Sequence, residues 1–358
     1  MNWKGKSGKQ SAIMRNILKY QISCLLLCLL ALSSCHHGGD SSNRHKQGSD
    51  TIQAKLGELN QLIEDDASNP DLYNKRATAY LLDHQFDKAL KDVHKAISID
   101  AGKSAYYITL SDIYLLMGKP EDSKDALNKA ISNNPKDTDA LLKLAKLYLI
   151  IKDYKNCYLT VRQLLAIDDG IASAYFTRAI GLLEQGDTIH AVDDLKKAVD
   201  INQEYFEAYV QLGELYAVKK DQMAELYLKN ALKLRPGNRE VLYMLGLHYQ
   251  ETGKYEKAFT VYQLLAKMDT TFREASYNQG YIYLVYLKDF KKAVQYFSES
   301  IKKDPGYAEA YFNRGYAYEL SGDYRKASDD YQKSLKIKVN YDKAIEGLNR
   351  LDKIRIKK

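Results

Sequence analysis

The chain is 358 residues long, with 53 basic and 46 acidic side chains and a formal charge of +7. Lys4, Lys6, Lys9, Arg15 and Lys19 supply five of those charges, so the rest is close to +2, which excludes the large basic field that nucleic acid or anionic lipid requires. The four cysteines are Cys24, Cys28, Cys35 and Cys157; only Cys157 lies beyond residue 35, so the body of the chain has no disulfide framework of its own.

Residues 1–34 read as a leader. The basic start carries no acid, Ile22 to Leu32 is an apolar run, and Leu32-Ser33-Ser34-Cys35 closes it with small residues, the order of a secretory signal peptide. Eleven apolar residues are too few to cross a hydrocarbon core of about 30 Å at about 1.5 Å per residue. Leu32-Ser33-Ser34-Cys35 resembles the bacterial lipobox. That resemblance implies acylation of Cys35, palmitate included, and a lipid anchor at the bacterial outer membrane; the single nearby acid, Asp40, favours a periplasm-facing protein. An ordinary signal peptide with an incidental cysteine is the competing reading. Residues 35–50 offer no apolar side chain to bury beyond Cys35 and read as the lipidated Cys and a flexible tether. His36, His37 and His45 lie in that Gly- and Ser-rich stretch, which has no preformed metal geometry. Residues 51–69 hold a helix, with Ile52, Leu56, Leu59 and Ile63 at helical spacing and Asn69-Pro70 behind it.

From residue 70 the chain repeats. Eight units run 70–103, 104–137, 138–171, 172–205, 206–238, 239–272, 273–307 and 308–341. In the first half of each, a small residue (Ala77, Ser111, Ala145, Ala179, Gly213, Gly246, Gly280, Gly315) is followed three places on by a large one (Tyr80, Tyr114, Tyr148, Leu182, Tyr216, Tyr249, Tyr283, Tyr318), on one helical face. The second half adds Ala89, Ser123, Cys157, Ala191, Ala224, Ala258, Ala293 and Ala327. Cys157 thus stands where most units have Ala, a packing position rather than a nucleophile. Gly118, Gly186, Gly253 and Gly322 fall where the chain must turn between the halves. The fifth unit is one residue short and the seventh one long; both changes fall near Lys219-Lys220-Asp221 and Tyr286-Leu287-Lys288, where a turn is expected to absorb them. A unit of this length is a helix pair that cannot bury its own apolar face, so copies stack.

The pattern is similar to the tetratricopeptide repeat over residues 70–341. The resemblance implies an all-α fold: a right-handed superhelix, an α-solenoid, of about eight helix-turn-helix repeats with flanking N- and C-terminal helices. Residues 342–358 supply the second flank, a capping helix with Ile345, Leu348, Leu351 and Ile354 on one side and a basic tail. In the family the groove is lined at the second, fifth, ninth and twelfth positions of a unit. Here those positions hold Phe176, Ile180, Glu214, Tyr243, Leu247, Tyr277, Tyr281, Phe312 and Tyr316, with Glu207, Glu240, Glu274, Glu309 and Glu319 around them. An aromatic stripe with an acidic rim suits a peptide that is apolar with some basic residues. The competing reading is that some rings pack on the adjacent pair and belong to the core. The acidic-tail clamp of heat-shock co-chaperones does not match, since Asn74, Thr78, Ile108 and Asp112 stand at its places.

No catalytic constellation is found: there is no H-E-x-x-H pair, P-loop, G-x-S-x-G elbow or Cys-x-x-Cys. His84, His94, His190 and His248 read as surface or turn residues, Asp193-Asp194 as an exposed pair, and Arg76, Arg178 and Arg314 as helix-surface residues with salt-bridge partners. The expected function is a non-enzymatic protein-interaction scaffold that needs no cofactor, metal or small-molecule substrate. Its partners are envelope proteins or peptides, in envelope assembly, secretion or the organisation of peptidoglycan enzymes. Glycan binding by groove aromatics is the alternative.

Overall fold

The computed structural model describes residues 41–356, which form helices joined by short turns with no strand among them. The expected leader, acylated Cys35 and the start of the tether lie outside the described residues. No described helix is long and apolar enough to cross a membrane. The chain divides after Tyr205 into two units. The first holds α1 (Ser41–Asp65), then the pairs α2 (Pro70–Leu82) with α3 (Phe86–Ile99), α4 (Ser104–Leu116) with α5 (Pro120–Asn133), α6 (Thr138–Ile150) with α7 (Tyr154–Ile167), and α8 (Ala172–Glu184) with α9 (Thr188–Ile201). The second holds α10 (Phe206–Val218) with α11 (Met223–Leu234), α12 (Arg239–Glu251) with α13 (Tyr255–Met268), α14 (Arg273–Tyr281) with α15 (Phe290–Lys303), α16 (Ala308–Leu320) with α17 (Tyr324–Ile337), and the closing helix α18 (Asp342–Ile356).

Helix α1 begins at Ser41, so residues 41–50 are helical rather than a tether. Once Leu56, Leu59 and Ile63 are buried against the first pair, the costly helical nucleus exists and each preceding residue adds a hydrogen bond. No proline lies between Ser41 and Asp50 to stop it.

Within a pair the two helices approach closely because one side chain at each crossing is small. Ala77 and Ala89 are wholly buried. Ser111 and Ser123 meet through their hydroxyls at 2.9 Å. In the second unit the small residue becomes glycine: a Cβ on Gly213 would stand 2.6 Å from Leu228, one on Gly246 2.7 Å from Tyr262, and one on Gly280 2.9 Å from Phe297. Larger apolar side chains then fill the space between pairs. Tyr73, Val93, Tyr106 and Ile113 do so in the first unit, and Val241, Leu245, Tyr262 and Ile282 in the second.

One turn closes every pair. A residue in the left-handed region ends the first helix, and the amide after it bonds the carbonyl of the large residue of the repeat. Examples are Lys119 to Tyr114 at 2.9 Å, Asp153 to Tyr148 at 2.8 Å and Asp323 to Tyr318 at 2.9 Å. The left-handed residue alternates along the chain: His84, Lys152, Lys220 and Lys288 at φ 56° to 60°, and Gly118, Gly186, Gly253 and Gly322 at φ 73° to 85°. Asp153, Asp187, Asp289 and Asp323 then cap the second helix with their carboxylates.

The long seventh repeat keeps this turn intact. Its extra residue lies inside the first helix, where Ile282–Leu287 is a π-helical turn, so the expectation that the inter-helix turn absorbs it is corrected. Asp289 still bonds Tyr283, at 3.0 Å, but across six residues where the other pairs use five. The closing turn, with its left-handed residue and Asp cap, is the more constrained element; widening one helical turn disturbs less.

Candidate partner-binding face

Of the residues expected to line a groove, five are core. Phe176 is fully buried with its ring 5.0 Å from that of Tyr205, and Ile180 is buried beside it on the same helix. In the second unit Glu214, Leu247 and Phe312 are buried as well. For the two phenylalanines the cause is the size of the rings around them. Phe312, for instance, lies 5.7 Å from Tyr331 and 5.4 Å from Tyr341, residues contributed by the second helix of its own pair and by the turn after it.

Tyr243, Tyr277, Tyr281 and Tyr316 remain half-buried. Two of them fasten one pair to the next. The Asn278 amide donates to the Tyr243 hydroxyl at 3.2 Å, and the Asn313 amide to the Tyr277 hydroxyl at 2.6 Å. Each asparagine is the sixth residue of its repeat and reaches back to the fifth residue of the repeat before. Burial pushes the Tyr243 phenol up to about 12, so it stays protonated. Tyr281 lies 6.5 Å from Tyr277 and 6.1 Å from Tyr286, which the π-helical turn sets against Tyr255 at 5.0 Å. Tyr316 stacks parallel to Phe312 at 6.4 Å and has the Arg350 guanidinium 5.6 Å above its ring.

The acidic rim is largely neutralised within the chain. Glu207 pairs with Arg235 at 3.0 Å, Glu274 with Arg273 at 3.0 Å, Glu309 with Lys338 at 2.7 Å and Glu319 with Arg350 at 2.8 Å. Glu214 is different. It is buried, its Oε2 has no hydrogen-bond partner, and burial pushes its carboxyl up to about 7. Other enclosed polar atoms without partners occur on the first helices of three consecutive pairs: both amide atoms of Gln211 on α10, both ring nitrogens of His248 and the Gln250 amide nitrogen on α12, and the Gln279 amide nitrogen on α14. His248 is therefore a core residue, not a surface one, and burial pushes its imidazole pKa down. Buried polar groups are normally paired, so their concentration on these three first helices is unusual for packing alone.

Two structural networks hold the pairs together. The first supplies the salt-bridge partners expected for Arg76, Arg178 and Arg314, whose identity sequence reasoning did not name; the second it missed. Arg76 grips Asp92, Arg178 grips Asp194 and Arg314 grips Asp330, each through two hydrogen bonds of 2.6 to 2.8 Å between the helices of one pair. Asp194 is buried by this contact, which corrects its reading as exposed. The signal was in the chain: the aspartate follows the arginine by sixteen residues in all three repeats and is absent where the seventh position is Leu. The second network centres on Glu225, which receives Lys229, Lys254 and the Tyr249 hydroxyl at 2.8 to 3.0 Å and Lys257 at 3.2 Å. Burial alone would raise its carboxyl, but these donors outweigh burial and hold it well below the usual carboxylate range. Cys157 is a buried free thiol, pushed up to about 12 by burial, as its packing position implies.

Models described as tetratricopeptide repeat match residues 80–147, 222–271, 274–307 and 308–341. Among curated proteins, the Homo sapiens protein O-mannosyl-transferase TMTC3 is 29% identical over 178 residues, covering 48% of this chain and 20% of that protein. The Bos taurus BBSome complex member BBS4 is 26% identical over 190 residues, 53% of this chain and 36% of that one. The human DnaJ homolog subfamily C member 3 is 22% identical over 334 residues, 84% and 66% of the two chains. The chain thus spans between a fifth and two thirds of the length of these relatives. Among solved structures, the C-terminal part of a TPR repeat-containing protein from Cytophaga hutchinsonii aligns with a TM-score of 0.58 at 18% identity, over 67% of this chain and 98% of that one. Pseudomonas aeruginosa pilF aligns with a TM-score of 0.51 at 14% identity, over 57% and 93%. Helix pairs closed by one recurring turn, crossing at small residues and matched in both units by these repeats make the chain a tetratricopeptide-repeat protein.

Proposed function

We propose that the chain is a non-enzymatic scaffold that docks envelope proteins or peptides on the first helices of its pairs, held at the outer membrane by a lipid on Cys35 and facing the periplasm. The anchor rests on the basic leader, its short apolar run and Leu32-Ser33-Ser34-Cys35. Docking rests above all on one observation: α12 and α14 carry half-buried tyrosines braced by hydrogen bonds between pairs, and α10, α12 and α14 carry buried polar atoms that the chain itself leaves unpartnered. Rigid amphipathic rings beside polar groups form a recognition surface at low entropic cost. The activity named for TMTC3 is not carried over, because the match spans a fifth of that protein.

The test is crosslinked capture from cell envelopes with the native chain and with Tyr281→Ala/Tyr316→Ala. Tyr277 is left in place because its hydroxyl is tied to Asn313. Envelope proteins captured by the native chain and lost with the double variant support docking; identical captured sets overturn it. In parallel, Cys35→Ala should abolish palmitate labelling and release the chain from the membrane fraction.

A further inference from the structure

Glu214 has a counterpart in the first unit, and the comparison shows what it lacks. Asp112 is the ninth residue of its repeat, as Glu214 is of the fifth. The Asp112 carboxylate accepts two hydrogen bonds from the Lys143 ammonium, at 2.9 and 3.0 Å. Lys143 is the sixth residue of the following repeat, the position from which Asn278 and Asn313 also reach back to the preceding first helix. Three independent pairs therefore show the sixth side chain facing the fifth-to-ninth stretch of the repeat before it. After Glu214 that position is occupied by Met244, buried in the apolar core. A thioether cannot donate a hydrogen bond or carry charge.

The chain thus builds an anionic site twice and supplies the cation once. At the second copy the carboxylate is 3% exposed, its Oε2 is partnerless, and Gln211, one helical turn earlier on the same face, leaves both its amide oxygen and its amide nitrogen without partners. The buried carboxylate oxygen and the amide oxygen beside it suit a group with several N–H donors and a positive charge. We propose that Glu214 and Gln211 of α10 receive a lysine side chain of a bound peptide, the ammonium serving Glu214 as Lys143 serves Asp112. The proposal rests on the docking reading above and adds to it the chemistry of one anchor. A lysine fits better than an apolar anchor, because only a cationic donor offsets the desolvation that the buried carboxylate already bears. The raised carboxyl of Glu214 accords with the same geometry, since it reflects burial without a compensating charge.

Two substitutions separate this role from a structural one. Glu214→Gln keeps the shape and removes the charge. Met244→Lys supplies from within the cation that Lys143 supplies to Asp112, and so should occupy the site. Nine-residue peptides are selected by display on the full native chain and, in parallel, on both variants; a selected peptide is then remade with norleucine for its lysine. The native chain should fix lysine at one register and lose at least tenfold in affinity with the norleucine peptide. Both variants should select without that lysine and bind the two peptides alike, with melting temperatures no lower than native. Selection on the native chain without a lysine preference, or a preference kept by Met244→Lys, overturns the assignment and leaves docking intact. If no chain enriches any peptide, the assignment and the docking reading both fail.

Discussion

Glu214 makes the fold sensitive to pH in a predictable direction. Its carboxyl stands near 7 in the folded chain against about 4.3 when unfolded, so between these values the folded state holds a proton that the unfolded state has released. Stability contributed by this group is complete below about pH 4 and is lost as pH rises through 7, by on the order of 3 kcal/mol. Urea titrations from pH 5 to 8 should therefore show the advantage of Glu214→Gln over the native chain growing with pH; an advantage that stays constant would mean the carboxyl is not buried without a partner. The Arg–Asp contacts give a second residue-scale expectation. Asp194→Ala should cost about 2 kcal/mol, and a cycle with Arg178→Ala should show most of that cost as coupling. The small positions were legible in the sequence because close crossing admits few side chains. Burial of Glu214 and His248 was not, because it depends on the packing around them rather than on their own place in the repeat.

The recurring turn sets the expectations for single elements. His84, Lys152, Lys220 and Lys288 occupy a left-handed conformation that disfavours side chains by about 1 kcal/mol or more relative to glycine. Lys152→Gly should raise stability by roughly that amount, partly offset by the greater freedom of glycine in the unfolded chain; denaturant midpoints decide it, and a lower midpoint would show that the Lys152 side chain adds more than its backbone costs. The π-helical turn offers a complementary test. Deleting Leu287, exposed at the end of that turn, should restore the five-residue closure of the other pairs and leave the melting temperature equal or higher, while removing the Tyr281–Tyr286 contact; a lower melting temperature would show that packing requires the wider turn. Repeat arithmetic revealed that one residue had been gained, but not where. Loops usually absorb insertions, whereas here the left-handed residue and Asp cap fix the loop and leave the helix to yield.

Across the whole molecule the eight repeats, their small crossing residues and the helical class were readable, because stacking pairs impose the same demands eight times. The start of α1 was not, since residues 41–50 have no apolar pattern and are helical only as an extension of the turns anchored by Leu56, Leu59 and Ile63. The three Arg–Asp contacts have a consequence for the order in which the chain acquires structure. They lie in repeats 70–103, 172–205 and 308–341, and each joins side chains only sixteen residues apart, so it forms without a neighbouring repeat and at a small loop-closure cost. The remaining repeats have no Arg–Asp tie of this spacing, only other contacts such as Ser111–Ser123, and depend more on neighbours already in place. Folding should therefore spread outward from three seeds rather than from the chain ends. Pulse-labelled hydrogen exchange during refolding should find amides of those repeats protected first, and Asp194→Ala should remove the early protection of 172–205 alone; simultaneous protection of all eight repeats would refute seeding.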